Sequence, residues 1–129
     1  MSGFIDNIEK LTIDNSNFRK VLFTAPNSQL VVMNLKPGEN IGMEVHSDVD
    51  QFIRVESGEG KAILNGEETV ISDDFAVVIP ARTQHDIVNT SNEQELKLYT
   101  IYSPPEHPPE TIHVTKAEAM EAEKDHHHE

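Results

Sequence analysis

Two histidines, a carboxylate and a side-chain amide are the informative residues of this chain: His46, Asp48, Gln51 and His85. They fall in two short stretches, residues 38–51 and 80–89. Together, two neutral imidazoles, a carboxylate and an amide oxygen can hold one divalent cation. Imidazole nitrogen suits zinc, iron, nickel, copper and manganese, while the oxygen donors tilt preference toward harder ions. His46, Asp48 and His85 alone form a two-His-one-carboxylate set, which leaves coordination positions for water or substrate. Either stretch taken alone is weak evidence, because a His and an Asp two residues apart recur by chance. What matters is convergence.

The elements that must bring them together read as short β-strands. Between residues 12 and 103, β-branched and aromatic runs alternate with Gly, Pro, Asn and Asp. Strands are predicted over 19–24, 29–35, 42–46, 51–56, 61–65, 68–71, 75–79, 86–89 and 96–102. This spacing favours a sandwich or barrel over βαβ units. Asn65-Gly66, between two apolar runs, is a two-residue hairpin turn in which both central residues need φ > 0. Alternation along a strand sends i and i+2 to one face, so His46 and Asp48 are expected to project together. Gln51, Ile53 and Val55 share a face of the next strand, and His85, Ile87 and Asn89 share one of a later strand. Asp50 is the alternative to Gln51 as the oxygen donor. Met33 and Met43 are expected inside the barrel.

Three segments follow: an N-terminal extension over 1–18, a barrel over 19–103, and a C-terminal part over 104–129. A proline-rich run, 103–109, leads into the last and is expected to cross the surface in extended form. Thr115 and Glu118 then resemble a capping box that opens a short helix to about residue 124. The terminal His126-His127-His128-Glu129 reads as a solvated acidic end.

Composition narrows the partners. At 129 residues the chain has room for one core. A net charge of −13 argues against nucleic acid and anionic membranes, which need clustered Lys and Arg. The chain has no cysteine, which excludes disulfides, thiolate metal sites and a Cys nucleophile. No signal peptide or membrane-spanning run is evident, so a soluble, cytoplasmic protein is expected.

The two stretches resemble the paired motifs of the cupin superfamily. The first motif is Gly, five residues, His-x-His, three or four residues, Glu, six residues, Gly. The second is Gly, five residues, Pro-x-Gly, two residues, His, three residues, Asn. Here His46 is read at the first His position, although seven residues separate it from Gly38. Asp48 then replaces the second His, and Gln51 stands where the Glu belongs, six residues ahead of Gly58. In the second stretch Pro80, His85 and Asn89 are in register, with Asp74 and Arg82 replacing the two glycines. A His, Asp, Gln, His set and a three-His-one-Glu set carry the same formal charge, which argues for an altered but live site.

The resemblance implies an all-β fold: a cupin-type double-stranded β-helix, or jelly-roll barrel, with a short C-terminal helix. It implies a metal near one mouth, of zinc, manganese, nickel or iron, and a homodimer. Phe52, Arg54 and residues 18–23 are candidates for an interface or outer packing face. Arg82, Tyr99 and Tyr102 are candidate catalytic residues, of which at most one tyrosine can point inward. His107 and His113 are read as surface loop residues. The activity implied is a metal-dependent, isomerase-like conversion of a small sugar-like or acidic metabolite. The alternatives are an iron dioxygenase and a non-catalytic small-molecule binding barrel.

Overall fold

The computed structural model describes residues 2–127, and the end of the His run, His128-Glu129, lies outside the described residues. Among the described residues, nine strands form two antiparallel sheets. They are β1 (Arg19–Thr24), β2 (Gln29–Leu35), β3 (Asp50–Ser57), β4 (Glu59–Leu64), β5 (Glu67–Ser72), β6 (Ala76–Ile79), β7 (His85–Asn89), β8 (Leu96–Ser103) and β9 (Ile112–His113). The larger sheet runs β6-β3-β8-β2-β1-β9 and the smaller β5-β4-β7. The strand spacing implied a sandwich or barrel, and the two antiparallel sheets form the all-β jelly-roll architecture that the cupin resemblance implied. Eight of the nine predicted strands are present.

Alternation decides what lies between the sheets. On β2, β8 and β3, the paired residues Met33, Leu98 and Val55 are each 0% exposed and meet on one face. Ile79 and Ile87 from the other strands complete this apolar interior. Burial of such side chains is the main stabilising term of the barrel, at roughly 25 cal/mol per Å² of apolar surface. Two glycines permit close approach of neighbouring backbone segments. A side chain on Gly60 would collide with the Val88 carbonyl oxygen, and a Cβ on Gly58, at φ +113°, would lie 2.6 Å from the Glu95 carbonyl oxygen. The predicted hairpin closes β4 onto β5, with Asn65 at φ 49° and Gly66 at φ 85°.

Two departures from the expected elements matter. The predicted strand over 42–46 is instead an irregular segment, joined to β7 by isolated bridges at Asn40–Val88 and Glu44–His85. A helix not anticipated from sequence, α1 (Ile8–Asp14), is capped by the Asn7 side chain. After α1, the Asn15 carbonyl accepts hydrogen bonds from Lys97 Nζ and Asn34 Nδ2, which fixes the helix end to the large sheet. The C-terminal helix α2 (Lys116–His127) starts where the capping pattern placed it. Glu118 N donates to Thr115 Oγ1, and the Glu118 carboxylate accepts from Val114 N. Among the described residues, no helix is long and apolar enough to cross a membrane.

Candidate metal centre

Backbone pairing places the centre before any side chain is considered. Glu44 and His85 exchange both main-chain hydrogen bonds, at 2.9 and 2.8 Å, as directly opposed residues of an antiparallel bridge. Opposed residues send their side chains to the same face, and His46 lies two residues beyond Glu44. The Arg82 amide donates to the His46 carbonyl at 2.6 Å, tying the two motif loops together. One carboxylate and two imidazoles therefore converge. One donor atom each from Glu44, His46 and His85 lie within 4.8 Å of one another. The two imidazole centroids are 5.2 Å apart.

The surroundings of each side chain are compatible with a cation. His85 is buried, and its Nδ1 lies 2.9 Å from the Thr83 carbonyl oxygen. Only an N–H can donate there, so the neutral ring carries its proton on Nδ1 and leaves a lone pair on Nε2. That Nε2 is buried without a hydrogen-bond partner. A histidine held by a carbonyl on one nitrogen and open on the other is the usual arrangement of a metal ligand. His46 likewise has a buried, unpartnered Nδ1, and its Nε2 lies 4.0 Å from Glu44 and 3.5 Å from Glu106. Burial pushes the Glu44 carboxyl up to about 7, helped by Glu123 and Glu106 and opposed by Arg19 and His85. A divalent cation at this point would restore the carboxylate.

Gln51 faces inward from β3, 3% exposed, and its Nε2 donates to Thr100 Oγ1 at 3.0 Å. Its Oε1 is left buried and unpartnered. Asp50, the alternative donor, is exposed and accepts from the Ala81 amide at 2.8 Å. Asp48 is also exposed. Its carboxylate accepts from Ser47 Oγ at 3.0 Å, and it is absent from the group that Glu44, His46 and His85 form. The expectation that His46 and Asp48 share a face assumed a continuous strand, but the chain bends at Ser47-Asp48. Parity runs the other way along the chain, from His46 back to Glu44. Met43 and Val45 accordingly point out, at 50% and 55% exposed, so Met43 is not an interior residue as expected.

Spacing alone could have located Glu44. Five residues separate it from Gly38, and four separate His46 from Gln51, which are the intervals of the first cupin motif. Glu44-Val45-His46 thus occupies the His-x-His position, with Glu in place of the first His. The glycine replacements in the second motif are also explained. Asp74 and Arg82 adopt φ 73° and 72°, so non-glycine residues keep the left-handed backbone that the motif glycines would provide.

The catalytic candidates separate clearly. Arg82 is exposed at the loop. Tyr99 packs on the outer face against Phe52, at 6.2 Å between ring centroids. Tyr102 faces inward, 1% exposed, with its ring 6.1 Å from that of His46. Burial pushes its phenol well above the usual range, so it keeps its proton.

The proline-rich run is not simply a surface strand. Gln29 Oε1 accepts from the Glu106 and His107 amides, and Gln29 Nε2 donates to the His107 carbonyl at 2.7 Å. This folds 104–109 back against the barrel, with the His107 ring 5.2 Å from Tyr102. His113 sits beside Arg19 (Nδ1 3.3 Å from Nη1). Neither histidine is the plain loop residue expected, and Phe18 and Arg19 are buried at 3% and 2% exposed rather than forming an outer face.

Comparison with known proteins agrees with this fold. The uncharacterized protein YrkC of Bacillus subtilis is 46% identical over 127 residues, covering 93% of this chain and 67% of its own length. The crystal structure of BH2720 from Bacillus halodurans has a TM-score of 0.89 at 44% identity, over 92% of this chain and 93% of that one. KdgF from Halomonas sp. is more distant, with a TM-score of 0.63 at 26% identity over 68% and 78% of the two chains. The cupin domain family matches residues 31–102, spanning the strands and both loops that supply the centre. With its two-sheet barrel and the paired motifs in register, this chain belongs to the cupin family.

Proposed function

We propose that this cupin binds one divalent metal through Glu44, His46 and His85, with Gln51 Oε1 as a fourth donor. We propose further that it performs a redox-neutral, isomerase-like conversion of a small polar metabolite, sugar-like or acidic. The observation that carries this reading is the set of unpartnered atoms. His46 Nδ1, Gln51 Oε1 and His85 Nε2 are all buried without hydrogen bonds. Buried polar atoms in folded proteins are nearly always satisfied, and several orphans in one interior fit a ligand that satisfies them together. The metal would act as a Lewis acid on a carbonyl or hydroxyl oxygen. Around it, Tyr102 is a neutral hydrogen-bond donor. Glu106, from the loop folded over the barrel, is a carboxylate outside the donor set yet 3.5 Å from His46, placed to exchange a proton with a ligand.

A second reading is an oxygen-dependent reaction with iron. It is favoured by the identity of the core set, since Glu44, His46 and His85 remain two histidines and one carboxylate. Metal analysis of purified protein separates the readings, with His85→Ala as reference because the terminal histidines also attract metal. One equivalent of zinc, manganese or nickel in excess of His85→Ala supports the isomerase-like reading. Excess iron with oxygen uptake supports the second. Equal metal in both proteins would overturn both and leave a non-catalytic binding barrel.

A further inference from the structure

Arg19 is the most unusual charge in the molecule. It opens β1, where it pairs with Met33, which in turn pairs with Leu98. Both of those partners are wholly buried, so register directs Arg19 to the interior face, and it is itself 2% exposed. Its Nη1 donates to His113 Nδ1 at 3.3 Å, and its guanidinium carbon lies 5.3 Å from the Phe18 ring centroid. Its Nε is buried with no partner. Among the described residues no carboxylate reaches it at ion-pair distance. Glu44, by contrast, and the Tyr102 phenol both feel its charge.

A guanidinium taken out of water without a carboxylate is costly to the fold. It is better explained as charge held ready for a ligand. With a divalent ion loaded, Glu44 cancels one of the two metal charges, and the imidazoles and the amide add none. Arg19 adds a further positive charge to the same interior, partly offset by the nearby Glu106 and Glu123 carboxylates. The free Nε edge of a guanidinium is the edge that grips an oxyanion.

We propose that Arg19 anchors an oxyanion of the substrate, a carboxylate or phosphate, inside the barrel. The assignment rests on the metal-centre reading for where the remainder of that substrate lies. His113 holds the guanidinium in place by accepting from Nη1, which makes it a positioning residue.

The test uses the full chain, zinc-loaded and metal-free, titrated with malonate, inorganic phosphate and neutral malonamide. Binding is followed by calorimetry and by the NMR signal of the Arg19 Nε–H; His85 ring signals report zinc at the centre. Malonate or phosphate, but not malonamide, should move the Arg19 signal in the wild type. Arg19→Met should weaken that binding about 10- to 100-fold, with partial recovery in Arg19→Lys and with zinc still seated at the His85 ring. Tighter malonate binding assigns a carboxylate, and tighter phosphate binding a phosphate. If zinc reaches the centre and neither anion moves the Arg19 signal, this inference fails while the metal reading stands. An anion response at Arg19 without zinc at His85 would sink the metal reading alone. The wild-type NMR arm does not depend on the variants folding.

Discussion

Replacing Glu44 with Gln in metal-free protein should change how stability depends on pH. In the unfolded chain this carboxyl titrates near 4.5, and in the barrel burial, Glu123 and Glu106 raise it to about 7. Between those values the folded state holds a proton that the unfolded state has lost. Rising pH therefore destabilises the metal-free protein across that window. The contribution is fully present below 4.5 and is gone above 7. A gap of that size is worth roughly 3 kcal/mol, at about 1.4 kcal/mol per pKa unit. Gln carries no charge at any pH and lacks this slope. Urea unfolding of both chelated proteins from pH 4 to pH 8.5 measures the difference directly. The two should be similar at pH 4, and Glu44→Gln should be the more stable by up to roughly 3 kcal/mol at pH 8.5. Adding a divalent metal at high pH should reverse the order, because the cation uses the ionised carboxylate. If the two proteins track each other across the range, the Glu44 carboxyl is not shielded from water as the half-buried site requires.

Three further outcomes follow from the same geometry. Asp48→Ala should leave metal content unchanged, since its carboxylate is exposed and engaged with Ser47; a loss seen by metal analysis would restore Asp48 as a ligand. Gln51→Glu should tighten metal binding on the order of tenfold or more in competition with a chelator, by turning an amide oxygen into a carboxylate. Arg82→Gly should raise stability by about 0.5–1 kcal/mol in denaturant melts, because glycine relieves the φ of 72° at some cost in chain entropy.

Much of this was readable from the residues, and the failures have physical reasons. The strands and the Asn65-Gly66 turn were legible because alternation and turn chemistry are local. His85 was legible because its motif keeps Pro80 and Asn89 in register, and Asn89 is held by the carbonyls of Leu35 and Gln94. Glu44 was missed because strand alternation was carried forward from His46 into Asp48, through residues that bend. The irregular segment before it is held by tertiary bonds: the Asp86 carboxylate accepts from Asn40 Nδ2 and the Gly42 amide. Asp86 is 44 residues or more from both, so no local pattern reports it. Arg19 was hidden for a related reason. A charged residue at a strand start reads as exposed, and only the pairing of β1 with β2 and β9 turns it inward. The folding back of 104–109 depends on Gln29, at the start of β2, which nothing in a proline run announces.

Anomalous diffraction from crystals of the full chain grown with zinc, recorded on both sides of the zinc absorption edge, tests the central claim most directly. The account predicts a single strong peak inside the barrel, bounded by the Glu44 carboxylate and the His46 and His85 rings, with the Gln51 amide oxygen turned toward it. A peak confined to the C-terminal histidines, with the barrel interior blank, would contradict it.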